Sequence, residues 1–107
     1  MSEFNKREEG FEKKFALDEE QKFRAEARRN RLLGLWAAEK LGITGEAATA
    51  YAKEVVAADF EEAGDGDVLR KVMTDFAAKS VAVTEQAIRA KMSELAAIAA
   101  AEVKAGK

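Results

Sequence analysis

Between Val68 and Phe76 the large apolar residues Val68, Leu69, Val72, Met73 and Phe76 recur at intervals of three and four, with Arg70, Lys71 and Asp75 off the stripe. That period is the signature of one face of an α-helix. Ile88, Met92, Leu95, Ala99 and Val103 repeat it further on. A third stripe holds Ala48, Ala52, Val55, Val56 and Phe60, with Asp59 inside the same arc. A half-buried carboxylate there needs a cationic or amide partner. Leu32, Leu33, Leu35 and Trp36, followed by Ala37 and Ala38, fit no single stripe and surround most of a helix. Either that helix is central, with neighbours on several sides, or one of its apolar sides faces another protein.

Start and stop signals divide these patterns into four helices. Asp18 and Gln21 have capping-box spacing, so the first helix begins near Asp18 and ends at Leu41. Gly42 then supplies a left-handed residue and Ile43 the apolar group of a Schellman stop. Thr44 is expected to cap a second helix, Gly45 to Ala63, ended by Gly64. Asp67 is expected to cap a third, Val68 to Ser80, and Thr84 a fourth, Glu85 to Val103. Connections this short favour antiparallel neighbours. The reading is an all-α four-helix bundle.

Residues 1–17 do not share the pattern. Charges alternate, Gly10 interrupts, and the large apolar groups before Leu17 are Phe4, Phe11 and Phe15, whose spacing places them on one side of a helix. Burying three phenylalanines yields on the order of 5–9 kcal/mol. Ordering the segment's backbone costs roughly 1–2 kcal/mol per residue, only partly offset by helical hydrogen bonds. The expectation is a mobile N-terminal segment, 1–17, ahead of a bundle, 18–107, and a partner groove can tip the segment into a helix.

Composition removes most chemistry. With no cysteine and no histidine, thiolate catalysis, sulfur-ligated metals and the commonest acid–base group are absent. No cofactor and no enzymatic activity are expected. The formal charge of −2 argues against a general nucleic-acid binder. No stretch reads as a signal peptide or membrane span, which points to the cytoplasm. Charge is uneven: Met1 to Arg31 holds nine basic and eight acidic residues, whereas Gly42 to Asp67 holds Lys53 against seven carboxylates.

Three motifs fail on inspection. Gly64-Asp65-Gly66-Asp67-Val68-Leu69 has no preceding strand, lacks the third glycine of a dinucleotide loop, and surrounds phosphate with carboxylates. It is no calcium loop either, because Phe76 occupies the place of the bidentate glutamate. No Walker A sequence occurs. The basic cluster Arg24, Arg28, Arg29 and Arg31 reads first as a solvent face, and with Asn30 as a possible dock for an acidic protein surface.

Three runs carry a family resemblance: FEKKFALDEEQKFRAEARRNRLLGLWAAEKLG from Phe11, YAKEVVAADFEEAGD from Tyr51, and IRAKMSEL from Ile88. They resemble the ζ subunit, an inhibitor of the F-type ATP synthase of alphaproteobacteria. The resemblance implies a four-helix bundle whose N-terminal segment enters the catalytic head between α and β subunits, near the γ shaft. There it would block rotation in the hydrolytic direction, much as the mitochondrial ATPase inhibitor protein does. Carried onto this chain, the inhibitory residues lie within Met1 to about Glu19. Phe4, Phe11 and Phe15 would be anchors, and Lys6, Arg7, Lys13 and Lys14 would pair with acidic groups of the head. Arg28, Arg29, Asn30 and Trp36 would form a secondary contact on the bundle, which acts as a stop outside the head. The free protein would be a monomer, peripheral to the inner membrane through the synthase. The alternative is a general helical adaptor or chaperone-like module that uses an apolar side of the first helix.

Overall fold

The computed structural model describes residues 17–60 and 66–106, and all regular structure among them is helical. The helices are α1 (Glu19–Leu41), α2 (Gly45–Ala58), α3 (Gly66–Ala78) and α4 (Glu85–Lys104). The all-α four-helix expectation is met. The proposed N-terminal segment lies outside the described residues up to position 16.

Local chemistry sets the ends of α1. The Asp18 carboxylate accepts from the Gln21 N–H at 2.7 Å, and Gln21 Oε1 accepts from the Asp18 N–H at 3.1 Å. Two orphan donors of the first turn are thereby satisfied. At the other end Gly42 turns left-handed (φ 77°), the Ile43 N–H donates to Ala38 O at 2.8 Å, and the Gly42 N–H to Glu39 O at 3.2 Å. This is the Schellman stop, and Ile43 packs against the core as the motif requires.

The other boundaries depart from the sequence reading in instructive ways. Thr44 stands at the head of α2 in extended conformation, but its hydroxyl makes no capping bond. The α2 helix ends at Ala58, and Asp59 and Phe60 form a turn instead of a further helical turn. Phe60 therefore leaves the core stripe and lies 68% exposed, its ring in tilted contact with Phe23 at 6.4 Å. Asp67 is no N-cap. It lies inside α3, buried, with one carboxylate oxygen 3.3 Å from Arg70 Nη1. The α3 helix stops at Ala78, and Ser80 occupies the left-handed position (φ 58°) that glycine holds after α1. The Val81 N–H donates to Phe76 O and the Ser80 N–H to Ala77 O, so α3 ends in a Schellman motif too. Thr84 caps α4 as expected, accepting from the Ala87 N–H at 3.1 Å.

The core is built from Leu33, Val55, Val68, Val72, Phe76 and Ile88, all essentially without exposure. Helix α1 runs through the middle: α2 and α4 pack along it, α3 touches all three, and α2 and α4 do not meet. This resolves the crowding of apolar residues on the first helix in favour of central packing. Leu33, Ala37 and Ala38 are buried, Trp36 is half-buried, and Leu35 is left at the surface. Where α1 and α2 cross, Gly34 faces the backbone of Ala52.

Candidate functional site

The expected site residues fall into two groups. Phe4, Lys6, Arg7, Phe11, Lys13, Lys14 and Phe15 lie outside the described residues. The second group, Arg28, Arg29, Asn30 and Trp36, sits on α1, and its members do not form one surface.

Arg28 bridges helices. Its Nη1 lies 3.2 Å from Glu102 Oε1, tying the middle of α1 to the end of α4. Arg29 and Asn30 are interior. Arg29 is 7% exposed and Asn30 0%, and the Asn30 Oδ1 accepts from Arg29 Nε at 2.9 Å and Nη2 at 2.7 Å. Burial of a guanidinium is tolerated where its donors are occupied. In the bundle as it stands both side chains are internal polar groups, turned away from the surface that a docking patch would use. Arg24 keeps the solvent character assigned to the cluster, with an exposed contact to Glu20 at 3.5 Å.

Trp36 has a mixed environment. The indole and the buried Phe76 ring form a T-shaped pair, with centroids 5.9 Å apart and planes at 82°. Lys40 and Lys91 place their ammonium groups 5.3 Å and 5.9 Å from the ring centroid. Trp36 also lines an open groove of about 700 Å³ with Val83, Thr84, Ala87 and Ala90, and the Lys91–Glu94 ion pair stands at the same groove. Lys40 follows Trp36 by four residues, a spacing visible in the sequence. Lys91 comes from α4, and only the tertiary fold brings it there.

Sequence reasoning did not single out a polar cluster joining α2 to α3. The Tyr51 hydroxyl donates to Asp75 Oδ2 at 2.7 Å. Lys71 Nζ lies 3.1 Å from both Glu54 Oε1 and Asp75 Oδ2, and 5.1 Å from the Tyr51 ring centroid. Burial, then the Asp75 hydrogen bond and the nearby carboxylates, push the Tyr51 phenol far above its usual value. Burial of Lys71 works to lower its pKa, but the bonds to Asp75 and Glu54 outweigh it and hold the ammonium above the ordinary range. Tyr51, Lys71 and Asp75 are each three to four residues from another polar group, but no single-helix pattern marks them as partners.

Among the described residues no group of three or more acidic side chains is arranged to hold a metal ion, and no helix is long and apolar enough to cross a membrane. Arg28–Glu102 and Lys71–Glu54 join helices, whereas Arg24–Glu20, Arg89–Glu85 and Lys91–Glu94 each lie along one helix.

A protein structure determined by solution NMR is 53% identical to this chain. It covers 79% of this chain and 96% of its own, with a TM-score of 0.70. No curated protein sequence matches the chain. Over residues 1–102, which include both the leading segment and nearly all of the helical body, the sequence matches the family described as ATPase inhibitor subunit zeta, and the chain belongs to that family.

Proposed function

We propose that this protein inhibits the F-type ATP synthase by inserting its N-terminal segment, within Met1 to about Glu19, between α and β subunits of the catalytic head beside the γ subunit, where it blocks rotation in the hydrolytic direction. The observation that carries the reading is the extent of the family match, which begins at residue 1 and so takes in the segment as well as the bundle. A blocker needs no chemistry. It needs an affinity that differs between rotary states, and a segment that gains its helix only in the right groove has that property.

In this reading Phe4, Phe11 and Phe15 are the anchors, and Lys6, Arg7, Lys13 and Lys14 meet carboxylates of the head. The bundle stays outside as a stop. Trp36 and Arg28 remain the bundle residues that can face the synthase, whereas Arg29 and Asn30 act inside it. The protein is monomeric when free and sits at the cytoplasmic side of the inner membrane through its host.

The adaptor reading finds less support. It needs an open apolar side on α1, and α1 is clasped between α2 and α4. Deletion of residues 1–17 separates the two. It should abolish inhibition of ATP hydrolysis while the circular-dichroism spectrum and melting of the body persist. Full inhibition by the shortened chain would refute the role of the segment.

A further inference from the structure

Two buried polar atoms, one on α1 and one at the end of α2, border the same small cavity. Asn30 Oδ1 is engaged by two donors of Arg29. A guanidinium only donates, so the amide orientation is fixed: the oxygen faces Arg29, and Nδ2 must donate elsewhere. Among the described residues Nδ2 has no acceptor, although the residue is fully buried. Asp59 Oδ1, in the turn that ends α2, is also buried and has no donor. Both residues line one cavity of about 10 Å³, together with Phe23, Glu26, Ala27, Val56 and Phe60.

We infer that this cavity is a binding site for a single water molecule, which accepts from Asn30 Nδ2 and donates to Asp59 Oδ1. Buried polar atoms are almost always satisfied, by protein or by ordered water. The volume meets the lower bound of roughly 10–15 Å³ that one water needs. The polarity selects as well. A bare cation would face the Asn30 N–H, and an anion would face the Asp59 carboxylate. Water alone satisfies both. The site joins the middle of α1 to the point where the chain leaves α2, and the Phe23 and Phe60 rings form part of its wall. It stands independently of the inhibitory reading.

The test is water–protein cross-relaxation on the isotope-labelled full-length protein. The Asn30 side-chain amide protons should show a rotating-frame cross-peak to water of sign opposite to the diagonal, which proton exchange cannot produce. The peak should survive Asp59→Asn, which keeps an acceptor, and vanish in Asp59→Leu, which removes it. Phe60→Ala, which opens the wall, should shorten the water's residence and weaken the laboratory-frame effect. A high-resolution crystal structure of the unaltered chain gives the second readout, an oxygen about 2.7–3.2 Å from both atoms. A direct Nδ2–Oδ1 bond at that distance, an empty cavity, or no cross-peak in the unaltered chain would each overturn the assignment. The crystallographic readout decides the matter even if Asp59→Leu fails to fold.

Discussion

Gly34 of α1 lies so close to Ala52 of α2 that a β-carbon on Gly34 would stand 2.6 Å from the Ala52 Cα and 3.2 Å from Val55 Cγ2. The obstacle at Ala52 is backbone, so no rotamer change relieves it. Alanine is a better helix former than glycine by about 1 kcal/mol, and on a free helix Gly34→Ala would stabilise. Here the two helices must part, and overpacking of this kind costs about 1–3 kcal/mol or more. The expected outcome is a net loss of about 2 kcal/mol, read as a fall in thermal midpoint of about 10 °C. Adding Ala52→Gly should restore little, because the clashing atom remains. An unchanged midpoint would mean that α1 and α2 are not held at this distance.

Ser80 invites the opposite change. It holds a left-handed conformation (φ 58°) in the Schellman stop of α3, with no glycine to make it inexpensive. Ser80→Gly should raise stability by about 1 kcal/mol, and Ser80→Val should lower it by at least as much. Chemical denaturation with constant slope across the three proteins checks this.

Asn30 should matter for folding and not for contact with a partner. Asn30→Leu removes the acceptor of two Arg29 hydrogen bonds inside the bundle. A loss of about 2–4 kcal/mol is expected. Inhibitory potency per folded molecule should stay as it was. A selective loss of potency at unchanged stability would restore Asn30 to the interface.

Alkaline pH should destabilise the body through Tyr51 and Lys71. Both have folded pKa values raised above those of the unfolded chain. For either group the folded state binds the proton more tightly, so its contribution is full below the unfolded value, about 10, and is lost as pH rises beyond it. Tyr51→Phe should lower stability at neutral pH by removing the bond to Asp75, and should make the decline above about pH 10 shallower. Parallel curves for the two proteins would show that Tyr51 is not the source.

The aromatic anchors proposed for the inhibitory segment allow a graded test. Phe11→Ala and Phe15→Ala should each raise the concentration for half-inhibition of ATP hydrolysis by about tenfold or more, the effect of losing roughly 1.4 kcal/mol or more of apolar burial. Thermal midpoints of the free protein should not move. Equal losses in midpoint and potency would place these rings in the free body instead.

Where structure is decided by neighbours in the chain, the sequence was a sound guide. The Asp18–Gln21 box, the Gly42–Ile43 stop and the Thr84 cap are each made within a few residues, and each was legible. The end of α2 was not, because apolar spacing continues through Phe60 while the chain has already turned at Asp59. Ser80 carried no glycine to mark its backbone, so α3 read two residues too long. The burial of two candidate bundle residues was hidden for a different reason. Arginine and asparagine side by side suggest a wet surface, and only the packing of the other helices around α1 turns Arg29 and Asn30 inward. Conversely, the surplus of apolar groups on α1 left two options open that tertiary packing alone could decide.

The clasping of α1 between helices that do not touch each other has a mechanical side. Pulled from Leu17, where the leading segment joins it, this helix of 23 residues, about 35 Å long, is loaded along its own axis. Its flanking seams would then have to slide all at once, and could not be peeled apart turn by turn. Whatever load reaches the body through that end is thus shared along the whole length of both seams.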